Sequence, residues 1–79
     1  MHDKFYVTGD IKCENTDSIR RCQGILVRYK LHHTVKDNII RINSRLMANA
    51  DFRSNIFRDH LLKRFSEFGT PTIEIVTAT

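Results

Sequence analysis

The chain has 79 residues, 41% of them hydrophobic and 28% charged, with only three Gly and one Pro. That is room for a single α+β domain spanning residues 1–79 with a small core, and the composition excludes a disordered or low-complexity chain. The net charge of +4 is unevenly placed. Residues 20–45 carry seven bases (Arg20, Arg21, Arg28, Lys30, Lys36, Arg41, Arg45) against Asp37 alone, which gives +6, while the remainder holds six bases and eight acids. Such asymmetry bears on partners rather than on fold.

Cys13 and Cys22 are too few for a disulfide-stapled secreted scaffold and read as reduced structural thiols, with a single bridge as the alternative. Residues 1–6 lack a basic stretch leading into an apolar segment, so no signal peptide is expected. The longest uninterrupted apolar run, Ile25, Leu26 and Val27, is far short of a membrane span. A soluble, cytoplasmic protein is expected.

In chain order, Phe5, Val7, Ile11 and Cys13 alternate with Lys4, Tyr6, Thr8, Asp10 and Lys12, the period of a strand with one face buried. Gly9 in its middle suggests a bulge. Residues 16–24 read as a short helix capped by Thr16 and ended by Gly24. Next, Ile25, Val27, Tyr29 and Leu31 alternate with Leu26, Arg28, Lys30 and His32, which predicts a second strand. Ile19, Cys22, Leu26, Tyr29 and His33 also fall at helical spacing, so one longer helix competes with it. Gly24 and the β-branched residues favour the strand.

A turn over residues 35–38 then leads to a third strand, where Ile40, Ile42 and Leu46 alternate with Arg41, Asn43 and Arg45. Ala50, Ser54, Phe57, Leu61, Phe65 and Phe68 follow at steps of four, three, four, four and three, one stripe of a long helix. Asn49 or Asp51 would cap it, Leu46 and Met47 could extend it backwards, and Gly69 with Pro71 would end it. Asp59 and Lys63 lie one turn apart on its wet face and would pair weakly. Residues 72–77 close the chain as a β-branched strand at a sheet edge. Strand, helix, strand, strand, helix, strand is the ferredoxin-like order, an antiparallel sheet of about four strands with helices on one face.

The strand reading of residues 25–32 makes a basic platform. Arg28, Lys30 and His32 would share the open sheet face with Arg41, Asn43 and Arg45, and the first strand would add Lys4, Tyr6 and Lys12 beside them. Cations on such a face neutralise phosphates and an aromatic stacks on a base, so the expected function is contact with an RNA or DNA backbone. A wet face in a basic protein would also carry Arg and Lys without any partner. The paired aromatics and glycines of the RNP consensus are absent.

The competing function is a protein-binding regulator or inhibitor acting on an enzyme or ribonucleoprotein. Phe52 and Ile56 lie off the long helix's main stripe, where they either pack beneath a neighbour or form an apolar patch for a protein partner or a homodimer. Arg20 and Arg21, read as lying at a helix end, either grip a phosphate or answer the helix dipole. His32 and His33 would point to opposite faces of a strand, and His2 and His60 have no companion at ligand spacing. No catalytic motif occurs, and Asp10 lacks the second carboxylate that a metal-dependent nuclease would need. An enzyme, a metal site and a cofactor are therefore not expected.

Overall fold

The computed structural model describes residues 3–48 and 51–78. Along the chain run β1 (Asp3–Cys13), α1 (Thr16–Arg28), β2 (His33–Lys36), β3 (Ile39–Ala48), α2 (Ser54–Phe65) and β4 (Gly69–Ala78). The strands form one antiparallel sheet in the order β2-β3-β1-β4, so β1 and β3 are central and β2 and β4 are edges. Each helical crossover returns past one intervening strand, which is the ferredoxin-like arrangement that the element order predicts.

β1 anchors the sheet by pairing along nearly its whole length with β3 on one side and β4 on the other. Phe5, Val7, Ile11 and Cys13 point into the core, and Lys4, Tyr6, Thr8 and Lys12 point out. The expected bulge at Gly9 is not there. Gly9 pairs one to one with Ile42 and with Ile73, and the register continues unbroken on both sides. Its role is close approach: at φ 151°, a Cβ built on it would lie 1.9 Å from the Thr72 carbonyl oxygen.

The principal correction concerns residues 25–31. α1 does not stop at Gly24 but runs through it to Arg28. A strand would bury Val27 and expose Leu26; instead Leu26 is 0% exposed and Val27 67%. Ile19, Cys22, Ile25 and Leu26 form the buried helical stripe, so packing overrides the β-propensity of the apolar run. Asn15, not Thr16, is the N-cap, its side chain accepting from the Ser18 amide at 2.9 Å. The helix ends where Lys30 adopts the left-handed conformation (φ 57°), with the Lys30 amide donating to the Val27 carbonyl and the Leu31 amide to that of Leu26. This is a Schellman closure with lysine where glycine is usual. Arg20 and Arg21 consequently lie within α1, not at a helix end.

β2 is thus only four residues long and follows the helix closely. Asp37 and Asn38, at φ 52° and 64°, make the two-residue turn into β3 that such residues favour in hairpins. Leu46 and Met47 belong to β3 and do not extend the second helix.

α2 begins at Ser54, later than the stripe suggests, and Arg53 at its N-cap makes no side-chain capping bond. Asp51 lies ahead of the helix, with Arg53 and not Asp51 at the N-cap position, and Asn49 and Ala50 fall outside the described residues. The helix closes at Ser66, so Phe68 lies beyond it and Gly69 opens β4 rather than capping α2. A Cβ at Gly69 would sit 2.4 Å from the Lys12 carbonyl oxygen, so this glycine too serves strand approach. Asp59 pairs with Arg58 (3.4 Å) rather than with Lys63.

One apolar cluster joins the inner face of the sheet (Val7, Ile11, Ile40, Ile42, Ile73) to α1 (Ile19, Cys22, Ile25, Leu26) and to α2 (Leu61, Phe65). Both helices therefore cover the same face. Leu61 and Phe65 are fully buried, and each contributes roughly 1.5–3 kcal/mol of burial. Cys13 and Cys22 are free thiols within this core. Burial, followed by the neighbouring Cys13, pushes the Cys22 thiol up to about 12.

Candidate functional site

The open face of the sheet follows from the register. β1 contributes Lys4, Tyr6, Thr8, Asp10 and Lys12; β3 contributes Arg41, Asn43, Arg45 and Met47; β2 adds Thr34 and Lys36; and β4 adds Thr70, Thr72, Glu74 and Val76. All of these are exposed apart from Asp10, which is half-buried. Among the described residues this face gathers five cations (Lys4, Lys12, Lys36, Arg41, Arg45) against two carboxylates (Asp10, Glu74), a net charge of +3.

The cations are not equally free. The Arg41 Nε donates to Asp10 across the central strand pair at 3.3 Å, an exposed contact worth little but enough to orient the guanidinium. Beside it lies a shallow hollow of about 370 Å³ lined by Thr8, Gly9, Asp10, Arg41, Ile42 and Asn43. Tyr6 stands directly between Arg45 on β3 and Val76 on β4, and the residue is 40% exposed. Met47, 58% exposed, lies on the same face near Lys4. One end of the face therefore joins an aromatic and two apolar side chains to Lys4 and Arg45.

The structure thus brings together Lys4, Tyr6, Lys12, Arg41, Asn43 and Arg45 from the set read in the sequence. It removes Arg28 and Lys30 from that face: Arg28 ends α1 and Lys30 sits in the turn after it. The cationic stretch of residues 20–45 is consequently divided. Arg20, Arg21, Arg28 and Lys30 go to the helical side, and Lys36, Arg41 and Arg45 to the sheet.

Phe52 and Ile56 part company as well. Phe52, ahead of α2, is half-buried against Phe5 and Phe57, with ring centroids 4.8 and 5.5 Å away. Ile56 is 64% exposed at the margin of a groove of about 400 Å³ lined by Asp51, Phe52, Arg53, Ile56, Phe57 and His60. Tyr29 closes one side of this region, with its ring edge-on to Phe57 and its hydroxyl 2.9 Å from the His60 Nε2. Sequence reading missed that cluster, because it depends on Tyr29 capping the end of a helix that lies beside α2.

No cluster of three or more His, Cys, Asp or Glu with metal-binding geometry occurs among the described residues. His33, at the start of β2, lies with its Nδ1 3.0 Å from the Leu31 carbonyl; His2 lies outside the described residues. No helix among the described residues is long and apolar enough to cross a membrane.

No protein-family model matches the chain, and no curated protein matches it in sequence. Among solved structures, it is similar to a formyltetrahydrofolate deformylase from Pseudomonas putida, with a TM-score of 0.65 at 18% identity. The alignment covers 96% of this chain and 29% of that one. At such identity the likeness establishes the fold, a small ferredoxin-like α+β domain, and the chain spans about 29% of the length of the enzyme it matches.

Proposed function

We propose that this chain is a non-enzymatic binding module that contacts the phosphate backbone of single-stranded nucleic acid through the open face of its sheet. The observation that carries the reading is the row Arg45–Tyr6–Val76 with Lys4 alongside: a partly exposed aromatic flanked by cations on a face of net charge +3. Lys4, Lys12, Lys36 and Arg45 neutralise phosphates, Tyr6 stacks on a base, and Asn43 supplies a hydrogen bond. Arg41 contributes less because the Asp10 carboxylate beside it offsets its charge.

Binding of a short single-stranded oligoribonucleotide, followed by fluorescence anisotropy across a salt series, tests this. Lys4→Gln with Arg45→Gln should lower affinity and flatten the slope of log K against log salt by about 1.4, roughly 0.7 per lost phosphate contact. Unchanged affinity and slope would end the reading.

A second reading is favoured by one observation, the exposure of Ile56 beside the Phe52–His60 groove, which suits a protein partner. It predicts a stoichiometric protein partner that survives nuclease treatment and is lost on Ile56→Asp.

A further inference from the structure

We propose that the groove between α1 and α2, on the side of the molecule away from the open sheet face, is a binding site for a phosphate-bearing anion gripped by Arg28 and Arg64. The two helices lie side by side in opposite directions: Tyr29 at the end of α1 meets Phe57 and His60 early in α2, and Arg21 meets Phe68 just past the end of α2. Arg21, Gly24 and Arg28 follow at steps of three and four and share one stripe of α1. That stripe and Ile25 face Arg64 and Phe68 across a groove of about 270 Å³. The volume falls just below the range of small-molecule sites, which restricts it to a group as small as phosphate or pyrophosphate.

Two independent observations give the groove its character. The first is charge: three guanidinium groups line it and no carboxylate does. Arg21 is held in place, bonded to Asp17 at 3.0 Å and lying 5.7 Å over the Phe68 ring. The guanidinium groups of Arg28 and Arg64 make no hydrogen bond or ion pair with any other described residue. Planar, forked guanidinium groups suit phosphate oxygens better than any other side chain does.

The second is Gly24. A glycine inside a helix costs about 1 kcal/mol relative to alanine, and neither backbone nor packing requires one here. Its φ is not positive, and a Cβ placed on it would meet nothing within 4 Å. What the missing side chain does is leave the groove floor empty between Arg21 and Arg28. The helix dipole accounts for Arg28 and Arg64 each near the C-terminus of its own helix. It does not account for both of them lining one carboxylate-free groove together with a glycine.

The test titrates the full chain with pyrophosphate by calorimetry and, in a parallel arm, with a single-stranded oligoribonucleotide at the same ionic strength. Arg28→Gln with Arg64→Gln should weaken pyrophosphate binding by about tenfold or more. Gly24→Leu should do the same by filling the floor, while remaining folded because it improves helix propensity. Lys4→Gln with Arg45→Gln, on the opposite face, should leave pyrophosphate binding unchanged. If the arginine pair affects pyrophosphate alone, the natural source is a free phosphorylated small molecule; if it also weakens RNA binding, the source is the phosphodiester backbone. Binding of neither probe that depends on Arg28, Arg64 and the open floor at Gly24 overturns the proposal, whatever the sheet-face variants do.

Discussion

Replacing Gly9 by alanine should be among the most damaging single changes this chain can suffer. The new methyl group would lie 1.9 Å from the Thr72 carbonyl oxygen and 2.9 Å from the Ile73 Cα, so β4 would have to withdraw by about 1.5 Å to restore ordinary contact. Such a shift breaks about two ladder hydrogen bonds at roughly 1 kcal/mol each, and the backbone at φ 151° adds about 1–3 kcal/mol of strain for a residue with a Cβ. The expected loss is about 3–5 kcal/mol, against a total stability of about 4–12 kcal/mol for a domain of this size. Urea denaturation measures it, and hydrogen exchange locates it, with protection lost first along β4. Gly24→Ala is the internal control and should raise stability by about 0.5–1 kcal/mol, since its Cβ meets nothing. A Gly9→Ala protein destabilised by less than about 1 kcal/mol would refute the close-approach argument.

Two further outcomes follow from local geometry. Lys30→Gly should stabilise the chain by about 0.5–1 kcal/mol in thermal or urea unfolding, because it relieves a left-handed lysine at the end of α1; a loss of stability would count against the Schellman closure. The raised Cys22 thiol makes stability depend on alkaline pH. Below about 9, the ordinary thiol value, both folded and unfolded chains are protonated there and the contribution is intact. Between about 9 and 12 only the unfolded chain loses the proton, so stability falls by roughly 1.4 kcal/mol per pH unit at most. Urea midpoints from pH 7 to 11 check this, and Cys22→Ala, whatever it does to overall stability, should flatten the alkaline limb.

How far the sequence could be read depended on whether apolar spacing spoke with one voice. In β1 the alternation of Phe5, Val7, Ile11 and Cys13 admits only a strand, and in α2 the steps through Phe57, Leu61 and Phe65 admit only a helix; both match the structure. Residues 25–27 are apolar in a row and fit either period. There the deciding signal is Leu26, which breaks the strand alternation and is buried in the helix, while Gly24 points the wrong way because α1 runs straight through it. Lys30 gave no warning of a helix end, since a left-handed lysine looks like any other in sequence. That one error carried Arg28 and Lys30 onto the wrong side of the molecule and hid the Arg28–Arg64 groove, while Tyr6, Arg41, Asn43 and Arg45 kept their place because β1 and β3 were unambiguous.

The most direct test of the sheet-face account watches side chains rather than affinities. In an NMR titration with a single-stranded oligoribonucleotide, the Nε–Hε signals of Arg41 and Arg45, the Asn43 amide group and the Tyr6 ring report the open face. Those of Arg21, Arg28 and Arg64 report the helical side. The Arg45, Asn43 and Tyr6 signals should move first and saturate together, with Arg41 shifting less because the Asp10 carboxylate beside it offsets its charge. Saturating RNA that leaves Arg45 and Tyr6 where they began would contradict the sheet-face account.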